Sequence, residues 1–188
     1  MRVIAGKARR IPLKCMEGAN TRPTTDRIKE TLFNMISDEI PGCWFLDLFS
    51  GSGAIGIEAL SRGAAGAVFV EKDRRAAAVI RENLEKTRLT DHARLLMTDC
   101  QKAIALLERE HRQFDVIFMD PPYGRLLEKE ILTALASSRV AGEHTLIITE
   151  ASLETDFSYL GSGGYQLLRE KKYKTNKHIF VRKLQVQT

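Results

Sequence analysis

From Trp44 onward, short apolar runs alternate with stretches of helical periodicity, and this alternation restricts the possible fold more than any other feature. The runs are Trp44 to Phe49, Ala67 to Val70, Ala93 to Met97, Phe114 to Met119 and Thr145 to Thr149; the helices between them cover roughly Ala54 to Arg62, Arg74 to Thr87, Gln101 to Arg112 and Leu127 to Ser138. Strands apolar throughout are buried on both faces, and a helix between consecutive strands imposes parallel pairing through right-handed crossovers. The expectation is an α/β fold with helices on both faces of one sheet. Before the alternation, Arg27 to Ile40 carries Ile28, Leu32, Met35 and Ile36 at helical spacing, entered through a Thr cap in Thr21 to Asp26. After it, Gly164 to Lys183 reads as an antiparallel hairpin turning around Lys174 to Asn176.

The fourth run ends abruptly in Asp120, Pro121, Pro122 and Tyr123. The prolines lack donors, fix their own φ and hold Asp120 and Pro121 extended, so neither helix nor strand continues. An acceptor side chain, a carbonyl released from the sheet ladder and an aromatic face are thereby gathered at a strand end. That trio suits a flat ring bearing an amine: two N–H groups donate to Asp120 and the Pro121 carbonyl, while Tyr123 stacks. A Pro-rich turn of no chemical meaning would use the same residues.

Upstream, Ser50, Gly51, Ser52, Gly53, Ala54, Ile55 and Gly56 follow the first run in strand-to-helix context. Glycines permit a tight turn and close approach to a ligand at a helix N-terminus, which fits NAD as well as S-adenosylmethionine. Three acids favour the latter. Asp47 suits the ammonium of a methionine moiety and would repel a pyrophosphate. Glu71 ends the second run, placed for ribose hydroxyls, and Asp99 follows the third, placed for an adenine amine with the Cys100 backbone beside it. Asp99 could equally cap the helix near Gln101, and Glu71 could be a solvated strand end beside the cap Asp73. Acids on three neighbouring strand tips, with Asp120 on a fourth, nevertheless outline a cleft along the carboxyl edge of the sheet.

Charge is uneven. The chain of 188 residues carries a net +5, yet residues 1–16 hold five bases and no acid, and residues 169–183 hold seven bases against Glu170 alone. The body between is net acidic, so a polyanion-binding surface built from the two ends is expected. Apolar residues alternate partially in both segments, which favours ordered strands over solvated tails. Cys15, Cys43 and Cys100 are scattered, as are the four histidines, so no disulfide framework, no metal site and no histidine triad is expected. With no long apolar run and no signal-like N-terminus, the expected location is cytoplasmic, away from membranes.

Leu46 to Gly53 together with Asp120 to Tyr123 resembles the paired signatures of class I S-adenosylmethionine-dependent amino methyltransferases. Arg22, Pro23, Thr24, Thr25, Asp26 and Arg27 through Glu30, Thr31, Leu32, Phe33 and Asn34, preceded by Arg2 to Lys7, resemble the RsmD-type family of small-subunit ribosomal RNA guanine-N2 methyltransferases. The resemblance covers nearly the whole chain. It departs at Asp120, where the family more often has Asn, keeping the acceptor and losing an amide donor. The resemblance implies a Rossmann-like seven-stranded sheet, mostly parallel with the last strand antiparallel. It places a basic β segment of residues 1–20 on the RNA and a methyltransferase domain in residues 21–188.

It also implies S-adenosylmethionine bound by Asp47, Phe49, Ser50, Gly51, Gly53, Glu71, Asp99 and Cys100, and chemistry at Asp120, Pro121, Pro122 and Tyr123. The substrate would be a guanine in ribosomal RNA, free or in the small-subunit particle, extruded or taken from a loop and contacted by Lys7, Arg9, Arg10 and Arg22. Adenine N6, cytosine N4 or a protein glutamine amide would satisfy the tetrad too. A Rossmann oxidoreductase would leave the tetrad unexplained, and a non-catalytic ribosome-assembly module would bind RNA with a vestigial pocket.

Overall fold

The computed structural model describes residues 1–16 and 25–184. Helix α1 (Asp26–Met35) is capped by Thr25, whose hydroxyl accepts the Ile28 N–H at 3.3 Å, and a short 3₁₀ turn, Ser37–Glu39, follows it. Then come β1 (Trp44–Leu48), α2 (Ala54–Ser61), β2 (Gly66–Val70), α3 (Arg74–Thr87), β3 (Ala93–Leu96), α4 (Cys100–Arg109), β4 (Phe114–Met119), α5 (Leu127–Ser137), β5 (Ala141–Ser152), β6 (Tyr165–Lys172) and β7 (Asn176–Lys183). The seven strands of the described residues form one sheet in the order β3-β2-β1-β4-β5-β7-β6. Strands β1 to β5 run parallel, and β7 enters between β5 and β6 antiparallel to both. The α/β expectation and the terminal hairpin hold. Strand β5 begins earlier than its apolar run because polar Gly142, Glu143 and His144 lie at its partly exposed start.

Two cores sandwich the sheet. On one face Phe45, Phe118, Ile148 and Phe180 pack with α1, α2 and α3; on the other Leu46, Ile117, Met119 and Ile147 pack with α4 and α5. Because side chains alternate along a strand, Asp47, Asp120, Glu150 and His178 share the first face with those phenylalanines and Ile148.

Residues 1–14 form a narrow ribbon on that face, with one bridging pair, Arg2 and Pro12, and N–H bonds from Val3 to Ile11, Arg10 to Val3 and Leu13 to Met1. It joins the core through Val3, Ala8 and Leu13 and remains outside the sheet. Glu58, wholly buried in α2, accepts the Ile4 and Ala5 N–H groups at 2.8 and 3.0 Å and pairs with Lys29 and Arg62. The Lys29 ammonium also donates to the Arg2 carbonyl at 2.6 Å. Gly6 allows this approach: its φ is +81°, and a Cβ there would stand 1.8 Å from the Ser61 carbonyl oxygen. At the far end of the ribbon, Asn83 bonds both Lys14 and the Ser52 carbonyl, tying it to the rim of the glycine loop.

Candidate active site

Strand order reverses between β1 and β4, so the crevice beyond their carboxyl ends is where an open α/β sheet receives a ligand. The glycine loop closes one side. Phe49, Gly51 and Gly53 all have positive φ, at +61°, +55° and +77°, and fold the chain back from β1 into α2. The Ser50 hydroxyl donates to the Asp47 carbonyl at 2.6 Å and accepts the Val70 N–H at 2.9 Å, locking the loop to β2. Gly53 stands at the N-cap of α2 without a side-chain cap bond, leaving the Ala54 and Ile55 amides of the first turn open to a ligand. Gly56 lies against the Phe69 ring, where a Cβ would come within 2.4 Å.

Of the three acids expected to bind the methyl donor, Asp47 lies within β1, Glu71 directly follows β2 and Asp99 caps α4 three residues past β3, and each has structural work. Asp47, 2% exposed, accepts the Gly56 N–H at 3.0 Å through Oδ2. Burial pushes its carboxyl up to about 7 against that hydrogen bond, with the Glu71 charge adding to the rise. Glu71 accepts the N–H groups of Gly51 and Asp73, at 2.9 and 2.8 Å, so it organises the loop it would share with a ligand. Asp99 caps α4 through the Lys102 N–H at 2.9 Å and pairs with the Lys102 ammonium at 3.0 Å, which holds its carboxyl below the usual range. Cys100 is buried, and desolvation pushes its thiol up to about 12. The edge is thus lined with acceptors, and a ligand offering an ammonium, two ribose hydroxyls and an adenine amine supplies the matching donors. No described residue donates to Asp47 Oδ1.

Across the crevice, Asp120 is partly buried, Pro121 buried, and Pro122 and Tyr123 exposed. The Tyr123 hydroxyl donates to Glu150 Oε1 at 3.2 Å. Glu150, 5% exposed near the end of β5, also accepts Asn176 Nδ2 at 2.6 Å and meets His178 Nε2 at 3.1 Å. His178 in turn contacts the Tyr173 hydroxyl through Nδ1 at 3.2 Å. Burial opposes a charge on Glu150, but the hydrogen bonds from His178, Asn176 and Tyr123 outweigh it and keep the carboxyl below its usual range. Asp120 moves the other way: burial, then the charges of Glu150 and Asp47, raise it well above an ordinary aspartate.

Sequence reasoning missed Glu150, His178, Asn176 and Tyr173. The signal for Glu150 was present, since it is a further acid ending an apolar run on the same face, after Ile148.

Lys7, Arg9 and Arg10 are exposed on the ribbon, and no described acid pairs with them; Arg22 lies outside the described residues. The C-terminal bases are divided. Lys177 is buried against Glu170, Arg182 pairs with Glu39, and Lys183 donates to the Ser138 carbonyl. Arg169, Lys171, Lys172 and Lys174 stay exposed on β6 and the following turn. Pairing of Ser152 with Asn176 brings that turn beside Glu150, at the crevice.

A family model described as "Conserved hypothetical protein 95" matches residues 1–182. Among relatives, YlbH of Bacillus subtilis, provisionally named an rRNA methyltransferase, is 40% identical over 83% of this chain and 85% of its own. Ribosomal RNA small subunit methyltransferase D of Escherichia coli is 35% identical over 91% of this chain and 84% of its own. The solved structure of Escherichia coli yhhF, provisionally named a methyltransferase, superposes with a TM-score of 0.86 at 32% identity, covering 98% of both chains.

Proposed function

Because this chain belongs to the family described as conserved hypothetical protein 95, the RsmD-type methyltransferases of small-subunit ribosomal RNA that use S-adenosylmethionine, we propose that it methylates the exocyclic N2 amine of a guanine in that RNA. The observation that carries the reading is the crevice itself: an acid-lined glycine loop on β1 faces an Asp-Pro-Pro-Tyr tetrad on the adjacent β4.

The bound S-adenosylmethionine supplies an electrophilic methyl group. Asp47, Glu71, Asp99 and the backbone of Phe49 to Gly53 and Cys100 hold and orient it. The guanine amine is a poor nucleophile because its lone pair is delocalised into the ring. Hydrogen bonds from its two N–H groups to Asp120 and the Pro121 carbonyl draw it toward tetrahedral geometry and aim the lone pair at the methyl carbon. Pro122 fixes the turn, and Tyr123 stacks on the ring. Alignment of two bound reactants lowers a barrier by about 7 to 11 kcal/mol, so no strong base is required.

RNA reaches the crevice along residues 1–20, with Lys7, Arg9, Arg10 and Arg22 contacting phosphates, while residues 21–188 carry the transfer. Exposed Lys174 in the β6–β7 turn, beside Glu150, adds basic charge at the crevice. Methylating RNA and DNA fragments in parallel and digesting them to nucleosides tests the reading: label on guanine N2 in RNA upholds it, whereas label on adenine N6 or cytosine N4 replaces it.

A further inference from the structure

The Tyr123–Glu150–His178 chain lies against the tetrad, and nothing in the transfer described above uses Glu150. We propose that Glu150 is a positioning residue for this transfer: clamped by Asn176 and His178, it steadies Tyr123 and sets a fixed negative charge beside Asp120, so that Asp120 meets the base as a neutral carboxylic acid. The inference rests on the methyltransferase reading and adds the protonation state on which its chemistry turns.

The geometry places the pair. Met119 and Thr149 are register partners in parallel strands, so Asp120 and Glu150 are the next residues along β4 and β5, on one face of the sheet. Two like charges side by side in a partly desolvated site cannot both ionise cheaply. Hydrogen bonds decide which keeps its charge. Glu150 has described donors in Tyr123 and Asn176 and the imidazole of His178 against Oε2; no described residue donates to Asp120. The described titratable groups around Asp120 are Asp47 on β1, with Glu71 behind it, Glu150 on β5, His178 on β7, Tyr173 in the β6–β7 turn and Tyr123 itself. The nearest of these, Glu150 and Asp47, are acids that oppose a charge on Asp120.

A neutral acid has consequences for the reaction. Its carbonyl oxygen accepts one N2 hydrogen and its hydroxyl can donate to the neighbouring ring N3, the acceptor-and-donor pattern a primary amide would present. As the N2–methyl bond forms, the sulfur–methyl bond breaks and its electron pair stays on sulfur. Glu150 supplies the nearby negative charge that favours the developing positive charge on N2. The surplus N2 proton leaves to water, because the Asp120 carboxyl is already protonated.

The test is the pH profile of methyl transfer to small-subunit particles. The wild-type rate falls on the alkaline side as Asp120 ionises. Glu150→Gln moves that limb to lower pH by about one unit or more, because the charge that held the proton is gone. It lowers kcat about tenfold at pH 8 and leaves KM for S-adenosylmethionine within about threefold. The limb disappears in Asp120→Asn. An unmoved limb in Glu150→Gln, or one that persists in Asp120→Asn, overturns the proposal. The unmodified protein gives an independent answer: ¹³C NMR of labelled aspartate carboxyls, with Asp120 assigned by its loss in Asp120→Asn, shows a protonated carboxyl at neutral pH if the proposal is right and an ionised one if it is wrong. That measurement needs no RNA, so a protonated Asp120 in a protein that methylates no RNA upholds the inference about the pair and defeats the reading of function instead.

Discussion

The Tyr123 hydroxyl donates to Glu150 Oε1 at 3.2 Å, so the aromatic ring of the tetrad is anchored to the neighbouring strand although it is 49% exposed. The two roles separate by substitution. Tyr123→Phe keeps the stacking face and loses about 1 kcal/mol of anchoring, a drop of about fivefold in kcat. Tyr123→Ala removes the stack as well and costs about 1–3 kcal/mol more, seen as a further loss of about fivefold to 150-fold in kcat/KM for RNA. Equal losses in both variants, measured by single-turnover methyl transfer, would assign the whole effect to the hydroxyl.

If Asp47 receives the ammonium of the methyl donor, that binding is pH-dependent. Its carboxyl is held up to about 7 by burial, and a ligand ammonium favours the ionised form, so binding expels a proton below that pH. The association constant should therefore rise as pH increases from about 5 toward 7 and level off above, with a released proton detectable by calorimetry in two buffers of different ionisation enthalpy. In Asp47→Asn the rise is absent. A pH-independent constant in the wild type would remove Asp47 from the ammonium site.

The N-terminal ribbon is held by a few concentrated contacts. Glu58→Gln leaves the buried Lys29 ammonium without its carboxylate and should destabilise the fold by about 3–5 kcal/mol. Gly6→Ala places a Cβ 1.8 Å from the Ser61 carbonyl at a positive φ and should cost about 2 kcal/mol or more. Denaturant unfolding measures both; a change of under about 0.5 kcal/mol in either would mean that the ribbon is not docked as described.

Much of this was legible in the sequence because it is local. The strand and helix alternation and the Thr25 cap follow from spacing and turn chemistry and are where expected, and Asp99 takes the cap position on α4 that its spacing also allowed. Long-range pairings were not legible. His178 lies 28 residues beyond Glu150, and only the insertion of β7 between β5 and β6 brings them together. Charge counting over residues 169–183 likewise overstated the free basic surface, because Lys177, Arg182 and Lys183 are spent on Glu170, Glu39 and the Ser138 carbonyl. The expected N-terminal β segment is a ribbon with one bridging pair, since Gly6 to Arg10 form a turn and Pro12 offers no N–H to a ladder.

If Arg9 and Arg10 contact phosphates, affinity for RNA depends on salt through them. Replacing both with Ala should lower the slope of log K against log salt by about 1.5, from roughly 0.7–0.9 per contact, and weaken binding to all sequences alike. An unchanged slope in a filter-binding titration would place the RNA elsewhere on the protein.

Methyl transfer to guanine N2 at the Asp120 crevice is read out by incubating the protein and labelled S-adenosylmethionine with small-subunit particles from cells that lack it. The RNA is then digested to nucleosides and the modified position mapped. Label is expected in N2-methylguanosine at a single position, with a loss of more than about tenfold, some 1.4 kcal/mol in barrier, in Asp120→Ala while methyl-donor affinity stays nearly unchanged. Label on another base, or Asp120→Ala retaining more than about a tenth of the activity, would contradict transfer to guanine N2 at that crevice.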